Sequence, residues 1–341
     1  MLLKCSLLNL LMGVSIQNRT NTFESMLLTY YLKKLQSLKI DRSKGAPAPH
    51  KPILALSILQ SIADGTITEN KIYITAELVA RFKDNWHLLV HNPRFTSNFA
   101  LPFYHLKSEG WWHLKTYPGK EILLTSSNSI RSFSHLKEAV AYACLSEDFY
   151  QIIQVAANRE YLMQALMHTY FDHVSGDIST TSGYGIVQQV EKQILHESPA
   201  TYKAQTAVAD EEEIFIRGGV FKKVVPRVYN YTCCITGMRL VADREVQMID
   251  ACHIVPFAES HDDTISNGLS LCPNLHRAFD RYLVSIDINY CVLVSPNLSE
   301  SVGDYSIKRL TGKRILLPSQ KAYFPSIENL KMHNDKFYSY Q

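Results

Sequence analysis

Three polar residues near the end of the chain are of types that can do hydrolytic chemistry: His253, Asn267 and His276. His253 stands in the apolar stretch DACHIVP, residues 250–256, where a single histidine is typical of a packed core. Imidazole titrates near neutral pH, however, so it can also accept a proton or bind a metal ion. Which interpretation holds depends on whether the other two residues are brought to the same place.

The elements that must position these residues follow from the flanking sequence. VQMIDACHIVPF is typical of a strand that ends at Pro256, and a polar loop then leads to the short apolar run NGLSLC. Pro273 suits the start of a helix, and Leu275, Phe279 and Leu283 recur at helical spacing. We therefore predict a strand, a loop, a short strand and a helix, with the three polar residues spread along them.

The blocks YTCCITGMRL, DACHIVPF and NGLSLCPNLHRAFD, in this order, resemble an HNH endonuclease domain of the ββα-metal type, over roughly residues 215–300. The resemblance implies that His253 is the general base and that His276 is a metal ligand. Asn267 would brace the loop and orient the His253 ring. Cleavage needs these parts because an anionic phosphodiester repels hydroxide, so a base and a cation must assist. The implied cofactor is one divalent cation, Mg²⁺ or Mn²⁺.

One position departs from the family pattern. Many HNH domains carry a metal-binding Asp or His directly before the base, and this chain has Cys252 there. Asp250 lies on the same strand face and is our candidate for the missing oxygen ligand, although it could instead bond to backbone or an arginine. A Cys252 ligand would favour zinc over magnesium, and we do not expect it. Cys233, Cys234 and Cys272 lack a CxxC spacing, which favours small buried residues over a structural zinc site.

Two stretches in the first half of the chain, APHKPILALSIL and NPRFTSNFALPFYHLKSEGWW, resemble the sulfur-binding domain of phosphorothioate-dependent restriction endonucleases, over roughly residues 26–170. The resemblance implies a pocket built around an apolar Leu-Pro pair and a histidine, with a His-Lys pair contacting the DNA backbone or bases. Arg94 is added for its charge and position. The predicted DNA-binding or sulfur-binding residues are His50, Lys51, Arg94, Leu101, Pro102 and His105.

A sulfur atom is larger, more polarisable and less strongly hydrated than the phosphate oxygen it replaces. An apolar pocket accepts sulfur at little cost, whereas oxygen would lose a hydrogen bond there, a penalty of roughly 1–3 kcal/mol. Leu101 stands where the family often has an aromatic residue, which keeps the wall apolar. Lys51 near a helix N-terminus opposes the helix dipole, which favours an anionic partner at that point.

The length of 341 residues and the hydrophobic content of 46% allow two domains. We predict an α+β protein: a mainly helical N-terminal DNA-recognition domain with a small sheet, and a C-terminal HNH nuclease domain. The predicted boundaries are 1–25 for a dispensable extension, 26–173 for the sulfur-binding domain, 174–213 for a linker with a helix, 214–320 for the HNH domain and 321–341 for a tail.

The remaining composition sets only broad limits on function. Seven scattered cysteines favour a reducing cytoplasm over a disulfide framework. No uninterrupted apolar segment is long enough for a transmembrane helix. The net charge of +3 neither demands nor excludes nucleic acid.

Together the two resemblances predict a cytoplasmic restriction endonuclease that binds phosphorothioated double-stranded DNA, cuts nearby and defends against foreign DNA. A homodimer would suit cuts in both strands. One alternative is an HNH nuclease whose N-terminal domain reads another modification or a sequence; Trp111 or Trp112 would then flank a flipped base. The other alternative is a DNA-binding protein with an inactive HNH fold.

Overall fold

The protein consists of two compact units, with the boundary between Ile186 and Val187. The computed structural model describes residues 24–121, 130, 132–171, 185–240, 248–301 and 305–341. Most of the predicted N-terminal extension therefore lies outside the described residues. Helices and small antiparallel sheets occur together, so the predicted α+β architecture with two domains is confirmed.

The first unit is mainly helical, and a buried helix lies at its centre. Its helices are α1 (24–36), α2 (His50–Ala63), α3 (Ala76–Leu89), α4 (Ala100–His105), α5 (Phe133–Ala139), α6 (Glu147–Gln154) and α7 (Ala156–Phe171). Every residue of α2 from Lys51 to Ile62 is buried, because α3, α4 and α7 all pack against it. Thr75 accepts a hydrogen bond from the Leu78 amide and caps α3.

A two-stranded sheet completes the first unit. β1 (Trp112–Thr116) pairs antiparallel with β2 (Val140–Leu145), and Trp112 lies opposite Leu145. The pattern of residues 134–172 predicts helix throughout. This prediction is wrong at β2, because pairing with β1 satisfies the backbone groups of both strands. The stretch GWWHLKTYPGKEILL predicts a second strand after Pro118-Gly119, and that strand falls largely outside the described residues.

The second unit contains the predicted order of strand, loop, short strand and helix. Its elements are α8 (Gly185–His196, which crosses the boundary), α9 (Pro199–Thr206), α10 (Glu211–Val228), β3 (Asp250–His253), α11 (Phe257–Ser260), β4 (Gly268–Leu271), α12 (Pro273–Asp280), β5 (Val284–Ile286), β6 (Val292–Val294) and α13 (Ile327–Ser339). β3 and β4 pair antiparallel, with His253 opposite Gly268, and α12 begins at Pro273 as predicted. The ββα core is therefore confirmed.

Helix α10 packs closely against this strand pair. A Cβ atom on Gly268 would come within 2.7 Å of Val225 Cγ2 and 3.3 Å of Phe221 Cε2. Only glycine therefore allows α10 to approach the start of β4 so closely. The helix begins with a capping box between Asp210 and Glu213, which fixes its first turn.

The segments predicted as a linker with a helix and as a tail both contain helices that contribute buried side chains to the core. Helix α9 lies within the predicted linker, and its Tyr202 is fully buried. Helix α13 forms most of the predicted tail and buries Leu330 and Phe337. Across the described part of the chain, no helix combines the length and apolar character that crossing a membrane requires.

Candidate functional site

His253 is the last residue of β3, and two other elements hold its ring. Nε2 lies 2.7 Å from Oδ1 of Asp263, and the ring stacks on Phe221 of α10 with centroids 4.0 Å apart and planes at 4°. An ionised carboxylate can only accept a hydrogen bond, so Nε2 of the neutral ring carries the proton. Nδ1 then keeps its lone pair, which is the state that a general base requires.

Asp263 is itself buried and held by a further contact. The Tyr202 hydroxyl donates to its Oδ2 at 3.4 Å, and burial raises the pKa of Tyr202, so the phenol stays protonated. The Arg217 guanidinium lies 4.8 Å from the centre of the Tyr202 ring. A network from α9 and α10 therefore reaches the His253 ring. Sequence reasoning missed it; the only signal was the Asp262-Asp263 pair between two predicted site residues.

Asn267 is fully buried and closes the loop that follows β3. Its Oδ1 accepts a hydrogen bond from the Val255 amide, and its Nδ2 donates to the carbonyls of Val255 and Asp262, each at 2.9 Å. These contacts are those of a loop brace. The prediction that Asn267 also orients the His253 ring is not met, because Asp263 holds that ring.

His276 of α12 lies between two carboxylates. Its Nδ1 is 3.2 Å from Asp250 Oδ2, and its Nε2 is 3.5 Å from Asp280 Oδ2. Sequence reasoning proposed Asp250 but missed Asp280, although a residue four positions along a helix shares its face. Cys252 Sγ also lies in this group, within 4.8 Å of ligand atoms of His276 and Asp280. Burial raises the pKa of Cys252 well above its usual range, so this sulfur is a thiol at neutral pH.

The donor set fits a hard or intermediate divalent cation. Imidazole nitrogen and carboxylate oxygen donors bind Mg²⁺, Mn²⁺ or Zn²⁺. His276 and Asp280 supply one of each in a group with Cys252, whereas Asp250 lies at the other ring nitrogen of His276 and outside this group. A thiol binds a metal ion as the thiolate, so Cys252 would have to lose its proton to join them. Cys233, Cys234 and Cys272 are buried, and the group around His276 is the one candidate metal cluster among the residues that the structure describes.

His253 and His276 open onto the same pocket, a cavity of about 240 Å³. Pro256, Phe257 and Tyr282 form part of its wall. The structure thus brings the predicted base and the predicted metal ligand together, although they come from different elements. A water molecule and a phosphate group would meet both in this space.

A second cavity, of about 450 Å³, lies in the first unit. Five of the six predicted recognition residues line it: His50, Lys51, Leu101, Pro102 and His105. Arg94 is not one of them; its Nη1 donates to the Lys44 carbonyl at 3.0 Å, so it supports the loop at the rim. Lys39, Lys44, Phe95 and Ser108, which we did not predict, also line the cavity.

Lys51 is not available as a simple phosphate-binding cation. Its ammonium group is buried, forms an ion pair with the buried Glu109 and donates to Ser108 Oγ at 2.9 Å. The anionic partner that we expected at this helix N-terminus is therefore Glu109, a residue of the protein itself. We missed this pair because the two residues are distant in sequence.

His50 is also uncharged in this cavity. Its Nε2 lies 3.0 Å from the Thr96 carbonyl, and its ring packs against Trp86 with centroids 4.7 Å apart. Burial lowers the pKa of His50, so the ring is neutral at neutral pH and Nε2–H donates to the carbonyl. His50 therefore contributes shape rather than positive charge.

The apolar wall of the cavity offers few hydrogen-bond donors. The Leu101 amide already donates to Asn98 Oδ1 at 2.9 Å, and Pro102 has no N–H. Positive charge is instead supplied at the surface by Lys39 and Lys44, whose residues are exposed. Their ammonium groups donate to the carbonyls of Ser108 and Arg94 at 3.1 and 3.0 Å.

Trp111 and Trp112 are core residues. Both are buried, and the Trp112 indole donates to the Phe103 carbonyl at 2.9 Å. Neither ring is positioned to flank a flipped base, as the modified-base alternative requires. Phe103 and Trp112 pack against each other in the core, with ring centroids 5.1 Å apart.

A ββα core whose two histidines share a pocket points to the class of the second unit: a nuclease. Residues 233–287 match the family model described as HNH endonuclease, and residues 29–178 match the model described as ScoMcrA-like, DNA sulfur-binding domain. The chain therefore joins a ScoMcrA-like sulfur-binding domain to an HNH endonuclease domain.

Three solved structures are similar to parts of the chain. The modification dependent TagI restriction endonuclease is 20% identical over 34% of this chain and 36% of that chain, with a TM-score of 0.28. The sulfur binding domain of ScoMcrA complexed with phosphorothioated DNA is 16% identical over 45% of this chain and 94% of that chain, with a TM-score of 0.36. ScoMcrA, a Type IV phosphorothioation-dependent restriction endonuclease, is 9% identical over 90% of this chain and 99% of that chain, with a TM-score of 0.34.

The matched part spans about a third of TagI, 36% of its length. No curated protein sequence matches the chain significantly. The two family models, rather than these structural overlaps, identify the domains.

Proposed function

We propose that the protein is an endonuclease that binds phosphorothioated double-stranded DNA through its first unit and hydrolyses nearby phosphodiester bonds with its second. Two matched domains support this proposal, one named for sulfur binding and one for HNH nuclease activity. The single observation that carries the catalytic part is the cavity shared by His253 and His276, because hydrolysis needs a base and a cation site side by side.

In the proposed mechanism, His253 activates the attacking water. Nδ1 takes a proton from the water while Nε2–H donates to Asp263. The carboxylate fixes the tautomer and stabilises the positive charge that the ring gains. Stacking on Phe221 keeps the ring in one plane, so that Nδ1 stays directed at one position.

His276 and Asp280 would hold the divalent cation, while Asp250 at Nδ1 would orient the His276 ring. When bound, Mg²⁺ or Mn²⁺ neutralises phosphate charge and stabilises the leaving oxygen. Asp280 and its neighbour Phe279 both line this pocket. Asn267 keeps the loop between Val255 and Asp262 closed.

Recognition would depend on how few hydrogen-bond donors the wall of the first cavity offers. Leu101 and Pro102 offer a surface without available amide donors, which accepts sulfur and penalises oxygen by roughly 1–3 kcal/mol. Lys39 and Lys44 would meet the neighbouring phosphates and make affinity salt-dependent.

A substrate of modified DNA also implies a cytoplasmic location. Cuts in both strands would suit a homodimer, and sedimentation with and without DNA tests this oligomeric state.

The test uses two duplexes of one sequence that differ by a single phosphorothioate linkage, incubated with Mn²⁺ or Mg²⁺. We expect the wild-type protein to cut only the sulfur-bearing duplex. His253→Ala should slow cleavage by roughly 10²–10⁴, while His196→Ala, which removes an exposed histidine of the same unit, should leave the rate unchanged.

Equal cleavage of both duplexes would support the nuclease activity but contradict sulfur recognition. The alternative would then be that the N-terminal domain reads another modification or a sequence. Binding to the sulfur-bearing duplex without cleavage, under either cation, would favour the inactive HNH fold. Neither binding nor cleavage would contradict the proposal as a whole.

A further inference from the structure

We infer that the C-terminal helix α13, which lies beyond the matched HNH segment, is part of the catalytic framework and that Asn329 on it is a positioning residue for Asn267. This inference rests on the proposed nuclease function. The matched segment ends at residue 287, so the helix would otherwise count as an appendage. Its contacts reach the loop that ends at Asn267 and the helix α12 that carries His276.

The contact to Asn267 is direct. Asn329 Nδ2 donates to Asn267 Oδ1 at 3.0 Å. The orientation of the Asn267 amide is fixed because the Val255 amide, which can only donate, points at the same oxygen. Asn329 therefore fills the second acceptor position of a buried carbonyl. Without this donor, the Asn267 side chain would lose one of the contacts that keep the loop closed.

The same helix holds the loop at two further points. Lys336 forms an ion pair with Glu259, which belongs to the short helix α11 directly after the His253 strand. At the start of α13, the Ser326 amide donates to the Ser266 carbonyl at 2.8 Å. Two points within the segment between β3 and β4 are thus held by one helix.

The last turn of α12 is fixed in the same way. The His333 ring stacks on Phe279 with centroids 3.7 Å apart, and its Nε2 lies 3.2 Å from the Phe279 carbonyl. His333 Nδ1 is 2.8 Å from Ser285 Oγ. Phe279 stands between the two proposed metal ligands of α12, His276 and Asp280. Helix α13 therefore supports the cation site as well as the loop.

The experiment compares Asn329→Ala, Asn329→Asp and the outward-facing control Met332→Ala, which lies on the same helix and is 51% exposed. Single-turnover cleavage of the phosphorothioated duplex with Mn²⁺ is measured in each. We expect the rate to fall about 10- to 100-fold in Asn329→Ala, the size typical of residues that orient a ligand, with unchanged DNA affinity. Asn329→Asp should be at least as slow, because an acceptor replaces the donor facing Asn267. Met332→Ala should match the wild type.

A double-variant cycle separates positioning from general support. If Asn329 acts through Asn267, then Asn267→Ala combined with Asn329→Ala is no slower than Asn267→Ala alone. If the rate losses of the two single variants multiply in the double variant, the inference is overturned. It is also overturned if Asn329→Ala loses DNA affinity as well as rate.

Hydrogen exchange gives a readout that does not depend on activity. Amides of residues 254–262 should exchange faster in Asn329→Asp than in the wild type or Met332→Ala. Unchanged exchange in this loop would overturn the inference even if cleavage fell. A wild-type protein that fails to cut, with faster exchange in Asn329→Asp, would instead count against the proposed function and retain the structural link.

Discussion

The two cavities of this protein handle charge in opposite ways. In the nuclease cavity, His253 lies beside a buried carboxylate that leaves Nδ1 able to take a proton, and His276 faces two carboxylates. In the recognition cavity, the positive charge of Lys51 is cancelled by Glu109 and His50 is neutral. Catalysis needs groups that gain charge during the reaction. Sulfur recognition instead needs an apolar wall that offers few hydrogen-bond donors to the modified phosphate.

The largest expected effect comes from breaking the charge balance in the recognition cavity. Glu109→Gln leaves the Lys51 ammonium buried without its partner, which typically costs about 3–5 kcal/mol. We expect the thermal midpoint of the first unit to fall. In the protein that remains folded, the sulfur preference in DNA binding should also fall, because Lys51 can then donate to an ordinary phosphate oxygen.

The control is Glu138→Gln, which removes one partner of an exposed ion pair with Lys120. Such pairs contribute roughly 0–1 kcal/mol, so its midpoint should remain near that of the wild type. An equal effect of both substitutions would contradict the charge-balance argument. Calorimetry and binding to the two duplexes check the prediction.

A buried histidine of the second unit, His333, should make the stability of the protein depend on pH. Burial lowers the pKa of His333 to about 4 from 6.5, so folding favours its neutral form. The stabilisation is complete above pH 6.5 and is lost as the pH falls towards 4. Between pH 7 and pH 5 the wild type should lose about 2 kcal/mol through this group.

His333→Gln keeps a side chain that can donate to the Phe279 carbonyl but does not titrate. Its thermal midpoint should therefore change less between pH 7 and pH 5 than that of the wild type. Equal pH dependence of the two proteins would mean that His333 is not the group responsible. Melting curves at both pH values measure this.

Asp263→Asn tests the way in which the catalytic ring is held. The amide can present either an oxygen or an N–H to Nε2, so the tautomer with a lone pair on Nδ1 is no longer imposed. We expect single-turnover cleavage to fall roughly 10- to 100-fold, with DNA affinity unchanged. The control is Asp335→Asn, which changes an exposed carboxylate of α13. Asp262 and Asp287 are less suitable because both accept hydrogen bonds from backbone amides. A full rate in Asp263→Asn would remove Asp263 from the mechanism.

The smallest expected effect is at the rim of the recognition cavity. Lys44→Gln should weaken binding to both duplexes alike and reduce the slope of log affinity against log salt by about 0.9, the value for one phosphate contact. Sulfur preference should not change. Lys192→Gln, an exposed lysine of α8, is the control. A lost sulfur preference in Lys44→Gln would show that the rim, and not the apolar wall, discriminates.

The sequence allowed a good prediction of the local parts of each site. Proline at the start of α12 and the apolar periodicity around it predicted the ββα order, and both histidines indeed line one pocket. Asp250 lies beside His276, and the prediction that it binds the metal stays a prediction. Leu101, Pro102 and His105 were found by resemblance, and all three line the first cavity.

The missed features depend on contacts between segments that are distant in sequence. Nothing local indicates that Lys51 pairs with Glu109 or that Asp263 reaches His253. Tyr202 and Asn329 lie in the segments predicted as a linker and a tail. Helix α9 nevertheless buries Tyr202 and Thr206, and α13 buries four side chains, Leu330, His333, Asn334 and Phe337. Strand β2 was read as helix because its apolar residues fit both periods, and only pairing with β1 decides between them.

The most direct test of the division between the two cavities is to measure DNA binding and cleavage separately in His253→Ala. The ratio of affinities for the sulfur-bearing and ordinary duplexes should equal that of the wild type, while single-turnover cleavage falls by roughly 10²–10⁴, the contribution of a general base. A changed affinity ratio, or cleavage that persists at the wild-type rate, would contradict the claim that one cavity selects the DNA and the other cuts it.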